Sequence, residues 1–268
     1  MSLTQDLRSS RELLANLALR EIRGKYKRTA LGQAWSLVNP LALMLTYSVV
    51  FSVLLRAQPD KGDPSGLDTF ALWLACGLLP WIFFSNVVTN GMGALISNAN
   101  LIKKVYFPRE TLVVADALSW LFTFAIEMLV LLAVLVLFGA EPWLYLPAVA
   151  GVILLLFCFG LGLALMLSVA NVYFRDTQHF IAILMQLWFY ATPIVYPEHL
   201  IFDKHPGVKT GYRLNPMERF AEVFRNLLYD NRWPSAANTA TLIVVSLGVL
   251  ALGLAVFRRF QGRLAEEL

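Results

Sequence analysis

The chain has 268 residues, 58% of them hydrophobic and only 15% charged. A soluble domain carries ~25% charged residues, so this composition excludes an ordinary water-soluble fold. The net charge is only +4 and the basic residues are scattered over several segments, which argues against a nucleic-acid-binding face.

The first 34 residues are polar and basic, unlike a cleavable signal peptide. Within them Leu3, Leu7, Leu14, Leu17, Ala18 and Ile22 recur at helical spacing, with Arg and Glu opposite. Such a helix either lies in the bilayer interface or presents a docking surface to a cytoplasmic partner. The basic cluster Arg23, Lys25, Lys27 and Arg28 closes the segment. These side chains suit phosphate, and they equally suit contact with anionic lipid.

Long uncharged stretches follow. Arg28 to Arg56 encloses 27 residues without a charge, Asp68 to Lys103 34, Glu141 to Arg175 33, Asp176 to Glu198 21 and Arg232 to Arg258 25. Residues 112–138 are apolar except for Asp116 and Glu127. A helix needs ~20 apolar residues to cross a ~30 Å bilayer core. Runs without alternation are helices rather than barrel strands. The pattern predicts an all-α membrane protein of one domain, with spans near 35–55, 70–92, 112–138, 146–170, 180–196 and 237–257. An even number places both termini together. Fourteen basic residues fall on their side, against Arg56 and Lys61 in the short opposite loops, so the termini are expected in the cytoplasm.

Between spans two and three, Asn98, Asn100, Leu101, Ile102, Lys103, Lys104, Val105 and Tyr106 form a short mixed knob. Asn98 or Asn100 could cap a brief helix that Pro108 stops. The knob either rests on the bilayer or plugs into a partner. In span three, Asp116 and Glu127 lie eleven residues apart and share a face with Ser119 and Thr123. Intramembrane carboxylates are costly and face protein or water. A proton or substrate path and plain hydrogen bonding both fit. Gly160, Ala164 and Ser168 repeat every fourth residue, a small face for close packing within the chain or between subunits. Cys76 and Cys158 lie inside apolar spans and read as packing groups rather than a disulfide.

Residues 197–234 are expected outside the cell. There Asn215-Pro216-Met217-Glu218 is a strong helix start. Met217, Phe220, Ala221, Phe224, Leu227 and Leu228 then line one face of a helix of about 14 residues, too short and too charged to span. With Pro193 and Pro197 punctuating the chain before it, this segment reads as a re-entrant lid or gate.

Several chemistries have no visible residues. Gly24-Lys25 lacks the upstream Gly and following Ser or Thr of a phosphate-binding loop. His179, His199 and His205 make no metal-ligand pattern, and no GxSxG elbow occurs. The chain thus offers no catalytic residue, no metal site and no ATPase site of its own.

The element order, with the phrases Leu31-Gly32-Gln33-Ala34-Trp35-Ser36-Leu37-Val38-Asn39-Pro40, Asn171-Val172-Tyr173-Phe174-Arg175-Asp176 and Leu214-Asn215-Pro216-Met217, resembles the permease subunits of type-two ABC exporters. The resemblance is to the polysaccharide branch, which includes teichoic acid and O-antigen exporters, and covers nearly the whole chain. It implies a homodimer in the bacterial cytoplasmic membrane, bound to two copies of a separate ATPase that holds ATP and Mg. The implied cargo is a glycan on a polyprenyl-diphosphate lipid. It further implies that residues 1–30 and the knob Asn98 to Tyr106 meet the ATPase. Tyr47, Phe51, Trp188, Phe189 and Tyr190 would line a channel within the bundle of residues 35–257. Pro193, Pro197, Asn215, Phe220 and Phe224 would belong to an exit gate, and 258–268 would be a cytoplasmic tail. Arg23, Lys25, Lys27 and Arg28 would receive the lipid diphosphate. A drug exporter of the same class, a proton-coupled transporter using Asp116 and Glu127, and a membrane-embedded transferase are the competing readings.

Overall fold

The computed structural model describes residues 3–25, 27, 29, 32–54, 61–105, 107–197, 207 and 209–267. Among the described residues all regular structure is helical. Helix α1 spans Leu3–Lys25, with side chains described from Glu12 onward. Helix α2, Trp35–Tyr47, continues through a wide π-helical stretch to Leu54. Helices α3 (Phe70–Ser97), α4 (Ala99–Lys104), α5 (Glu110–Leu137) and α6 (Leu146–Tyr173) follow. Helix α7 is Thr177–Tyr190, α8 is Pro216–Arg225 with a π-helical extension to Asp230, α9 is Ala236–Phe260, and α10 is the last turn, Leu264–Glu267.

Five stretches are long and apolar enough to cross a membrane: Trp35–Leu54, Phe70–Ser97, Glu110–Leu137, Pro142–Tyr173 and Ala236–Phe260. The expected fifth span, 180–196, differs. Helix α7 stops at Tyr190 after 14 residues, about 21 Å of rise against a ~30 Å core. Thr192 turns the chain there: its hydroxyl donates to the Trp188 carbonyl at 2.8 Å, and its own carbonyl accepts from the Ile194 N–H. Pro193 cannot donate to a helical ladder, and residues 192–195 are buried although no longer in a long helix.

Helix α3 is the hub. It packs against α6, α5, α8, α7 and α2, whereas α2 is almost uncovered. Stacked rings knit the hub together: Phe83 on Phe124 at 4.5 Å and Phe84 on Phe159 at 5.2 Å. The small face of α6 is used within the chain. Gly160 sits against Phe84 and Val87, and a Cβ added to Gly91 would stand 2.8 Å from the Ala164 Cβ. The opposite side of α6 meets α9 even more closely. A Cβ on Gly162 would stand 2.6 Å from the Val249 carbonyl oxygen, and one on Gly253 would run into the Gly162 carbonyl. Backbone stands against backbone there, so no side chain can yield. Gly253→Leu is therefore expected to cost about 3 kcal/mol of stability by overpacking, read as a lower melting temperature in detergent. Gly248→Leu, with nothing within 4 Å of a Cβ, should leave that temperature unchanged.

Candidate functional site: an aromatic and polar groove on helix α3

Tyr47 of α2, Trp81 of α3, and Phe189 and Tyr190 of α7 line a groove of about 430 Å³. Tyr47 and Phe189 lie 6.0 Å apart, and Phe189 meets the Tyr190 ring edge-on at 5.2 Å. Ser85, Thr89 and Gln186 supply its polar wall. Thr89 also lines a second cavity of about 320 Å³ with Asn90, Gly93, Ser97, Asn98, Glu21 and Asp116. The two cavities follow one face of α3 toward α1.

That face was invisible to an average over span two. Ser85, Thr89, Asn90, Gly93 and Ser97 recur at intervals close to three and four, the spacing of one helical stripe. Each is at least partly exposed. Three of the polar groups bond back to their own helix: Thr89 to the Ser85 carbonyl at 2.7 Å, Asn90 to the Asn86 carbonyl at 2.9 Å and Ser97 to the Ala94 carbonyl at 3.2 Å. The periodic signal was available in the sequence.

Of the five aromatic residues expected to line a channel, Tyr47, Phe189 and Tyr190 face this groove. Phe51 instead stacks on Phe70, 6.5 Å away. Trp188 turns inward: its ring meets Phe84 edge-on at 5.4 Å and Trp81 at 6.1 Å, and its indole N–H donates to Asn215 Oδ1 at 2.8 Å. An indole taken out of water needs a hydrogen-bond acceptor, and Asn215 provides it, so the half-buried Trp188 packs toward the core.

Of the residues expected at the exit gate, four are interior and Asn215 is half-buried. Phe220 and Phe224 are fully buried, and Pro193 and Pro197 are buried. Asn215 caps α8 by accepting from the Met217 N–H at 3.0 Å, as the Asn-Pro start predicts, and donates to Thr192 Oγ1 at 2.9 Å. Arg225, further along the same helix, is itself buried and donates to the Pro193 and Ile194 carbonyls, each at 2.8 Å. Outer loops hold the far end of this unit. Tyr229 donates its hydroxyl to the Leu67 carbonyl, Ser65 donates to the Tyr229 carbonyl, and Tyr145 donates to the Asn231 carbonyl. The segment is a pinned plug of packed side chains. Residues 198–206 and 208 of the expected segment lie outside the described residues.

At the other end, Lys103, Lys104 and Val105 project from α4 into solvent, and Asn100 is exposed. Leu101 is half-buried and Ile102 is buried, on the side where α4 lies against α10 and its buried Leu264. Ile102 is thus a foot of the knob rather than part of its free surface. Asn98 bonds to the Ala94 carbonyl at 2.9 Å instead of capping α4, and accepts from Arg20 of α1 at 2.7 Å. Arg109 donates to the Gln261 carbonyl near the C-terminus. These bonds brace α1, α4 and the tail as one assembly. Tyr106 lies outside the described residues.

The basic cluster separates. Arg23 and Lys27 are exposed, and Arg28 lies outside the described residues. Lys25 is half-buried, with its ammonium 3.2 Å from the Trp120 ring centre. Burial pulls its pKa down to about 7, against the attraction of Asp116, Glu21 and Glu127. Helix α1 runs along α5 and carries Lys25 onto it. Lys25 is thus covered, unlike its exposed neighbours Arg23 and Lys27. Glu127 is 5% exposed and lines a small apolar cavity with Leu37, Pro40 and Met44 of α2. Cys76 and Cys158 are free thiols.

Comparison with known proteins adds to this geometry. The ABC-2 type transporter family matches residues 12–229. Over 266 residues, 99% of both chains, the sequence is 31% identical to the O-antigen export system permease protein RfbA of Myxococcus xanthus. It is 28% identical over 260 residues to the RfbA of Klebsiella pneumoniae, covering 96% of this chain and 95% of that one. It is 26% identical over 248 residues to the polysialic acid transport protein KpsM of Escherichia coli, covering 90% and 91%.

Proposed function

Because this chain belongs to the ABC-2 type transporter family, we propose that it is the membrane permease of an ATP-driven exporter of a cell-envelope polysaccharide. The observation that carries this reading is end-to-end similarity to O-antigen export permeases. A proton-coupled transporter built on Asp116 and Glu127 is set aside by family membership. In this reading two copies sit in the bacterial inner membrane with their termini in the cytoplasm, joined to two copies of a separate ATPase that holds ATP and Mg. The cargo is a glycan on a lipid diphosphate. The α7 arm and the buried α8 unit form a re-entrant sixth element of the bundle.

Mechanical coupling follows from the braced cytoplasmic assembly. Closure of the ATPase pushes on the exposed part of α4, at Lys103, Lys104 and Val105. Arg20 and Asn98 carry that displacement into α1, and the continuous turn at Asn98 carries it into α3, whose polar face borders the groove. The supporting features are the exposure of the knob tip and the burial of its foot.

Purification in mild detergent with mass spectrometry tests the partner. A stoichiometric ATP-binding-cassette subunit is the expected companion. Isolation of the permease alone, even after crosslinking in the native membrane, would contradict the proposal.

A further inference from the structure

The polar stripe of α3 demands an explanation that packing does not supply. Thr89, Asn90 and Ser97 each place one donor on their own helix, but the hydroxyl lone pairs and the rest of the Asn90 amide would go unmet against lipid. Here they line two adjoining cavities that share Thr89. From Trp81 to Ser97 the stripe runs for about 24 Å of helix rise, most of a bilayer core. No charge occurs anywhere between Asp68 and Lys103, and among the described residues the two cavities have no basic lining group. The acids among those lining residues are Glu21 and Asp116, at the end near α1.

Building on the export reading, we propose that Ser85, Thr89, Asn90, Gly93 and Ser97 of α3, with Gln186 of α7, form the track along which an uncharged glycan passes. Sugar hydroxyls exchange hydrogen bonds with neutral hydroxyls and amides without being held as a charge would be held. Gly93 leaves room for a ring to pass close to the helix. The aromatic end at Tyr47, Trp81 and Tyr190 offers flat faces to the C–H faces of sugars. Between Asp68 and Lys103 a polyanionic chain meets no cation to hold it. At the α1 end Arg20 is occupied by Glu21 at 2.6 Å and by Asn98, and Asp116 opposes a like charge, so a polyanion is disfavoured on this path.

The test uses the full chain with its ATPase, in a background where Cys76 and Cys158 are alanine. The single variants Ser85→Cys, Thr89→Cys and Asn90→Cys are exposed to a charged, membrane-impermeant methanethiosulfonate in open vesicles. All three are expected to react, and loading with a lipid-linked neutral glycan should protect them. Val244→Cys, on the exposed side of α9, should stay unlabelled. The pair Thr89→Val with Asn90→Leu is expected to lower neutral-glycan export about 25-fold, since each of the two hydrogen bonds lost is worth a factor of about five. The pair Thr89→Ser with Asn90→Gln should retain export. Lipid-linked polysialic chains should be exported far more slowly than neutral ones.

Absence of labelling would overturn the track. So would ready disulfide formation between two copies of the Asn90→Cys variant without reagent access, which would make the stripe a subunit seam. Equal export of neutral and polysialic chains would overturn the charge assignment. These failures are separable from failure of the export reading, which would appear as unaltered surface glycan when the whole chain is deleted.

Discussion

Arg225→Met is expected to lower stability by about 2–6 kcal/mol, since it leaves two buried carbonyls without donors at about 1–3 kcal/mol each. The guanidinium is 7% exposed and donates to the Pro193 and Ile194 carbonyls at 2.8 Å each. Its flat face lies 3.6 Å from the centre of the Trp73 ring, a desolvated contact worth about 2 kcal/mol. Gly77 of α3 gives it space, since a Cβ there would stand 2.8 Å from Nη2. Truncation leaves two carbonyls in a dry interior without donors. The turn after α7 then loses its pin, and the plug formed by α8 is free to separate from it. Arg225→Lys keeps the charge but not the planar fork, and should recover part of the loss. Thermal unfolding in detergent and limited proteolysis between residues 191 and 215 read both effects. A Met variant as stable and as protected as wild type would refute the role.

Lys103→Glu combined with Lys104→Glu is expected to cut export about tenfold or more, because reversed charge at a docking surface costs several kcal/mol. Both side chains are exposed while Ile102 beneath them is buried, so the double change alters the surface of α4 and leaves its foot in place. Insertion and thermal stability should therefore stay near wild type. ATP hydrolysis by the partner should continue, detached from movement of glycan. The Lys103→Arg, Lys104→Arg pair should export normally. Coupled transport at the wild-type rate in the double Glu variant would show that α4 is not the coupling element.

Much of this fold was written plainly in the chain. Five long helices lie within a few residues of their expected limits, and Asn215-Pro216 starts a helix as its chemistry requires. Helix α3 runs to Ser97 rather than ending near residue 92, because Gly93-Ala94-Leu95-Ile96-Ser97 contains nothing that stops a helix before Asn98. What stayed hidden depends on contacts across the fold. Residues 191–196 are as apolar as the helix before them, and it takes the Thr192 turn at Pro193 and the Arg225 bonds to fix the end of the helix at Tyr190. In the sequence Arg225 is one of six basic residues within 197–234, with nothing local to set it apart. Trp188 and Tyr190 are two residues apart, and the direction of α7 sends one into the core and the other to the groove. Lys25 belongs to the same basic run as Arg23 and Lys27, and only its contact with Trp120 of α5 sets it apart. The stripe on α3 was legible as a period of three and four, but its small polar residues are diluted by Leu, Phe and Val on the other faces.

The most direct test of the export function is to delete this chain in its host and assay both leaflets for the lipid-linked glycan. Loss of surface polysaccharide with accumulation of the lipid-linked precursor on the cytoplasmic side, restored by the wild-type chain, is the predicted result. Normal surface polysaccharide with no accumulated precursor would contradict it.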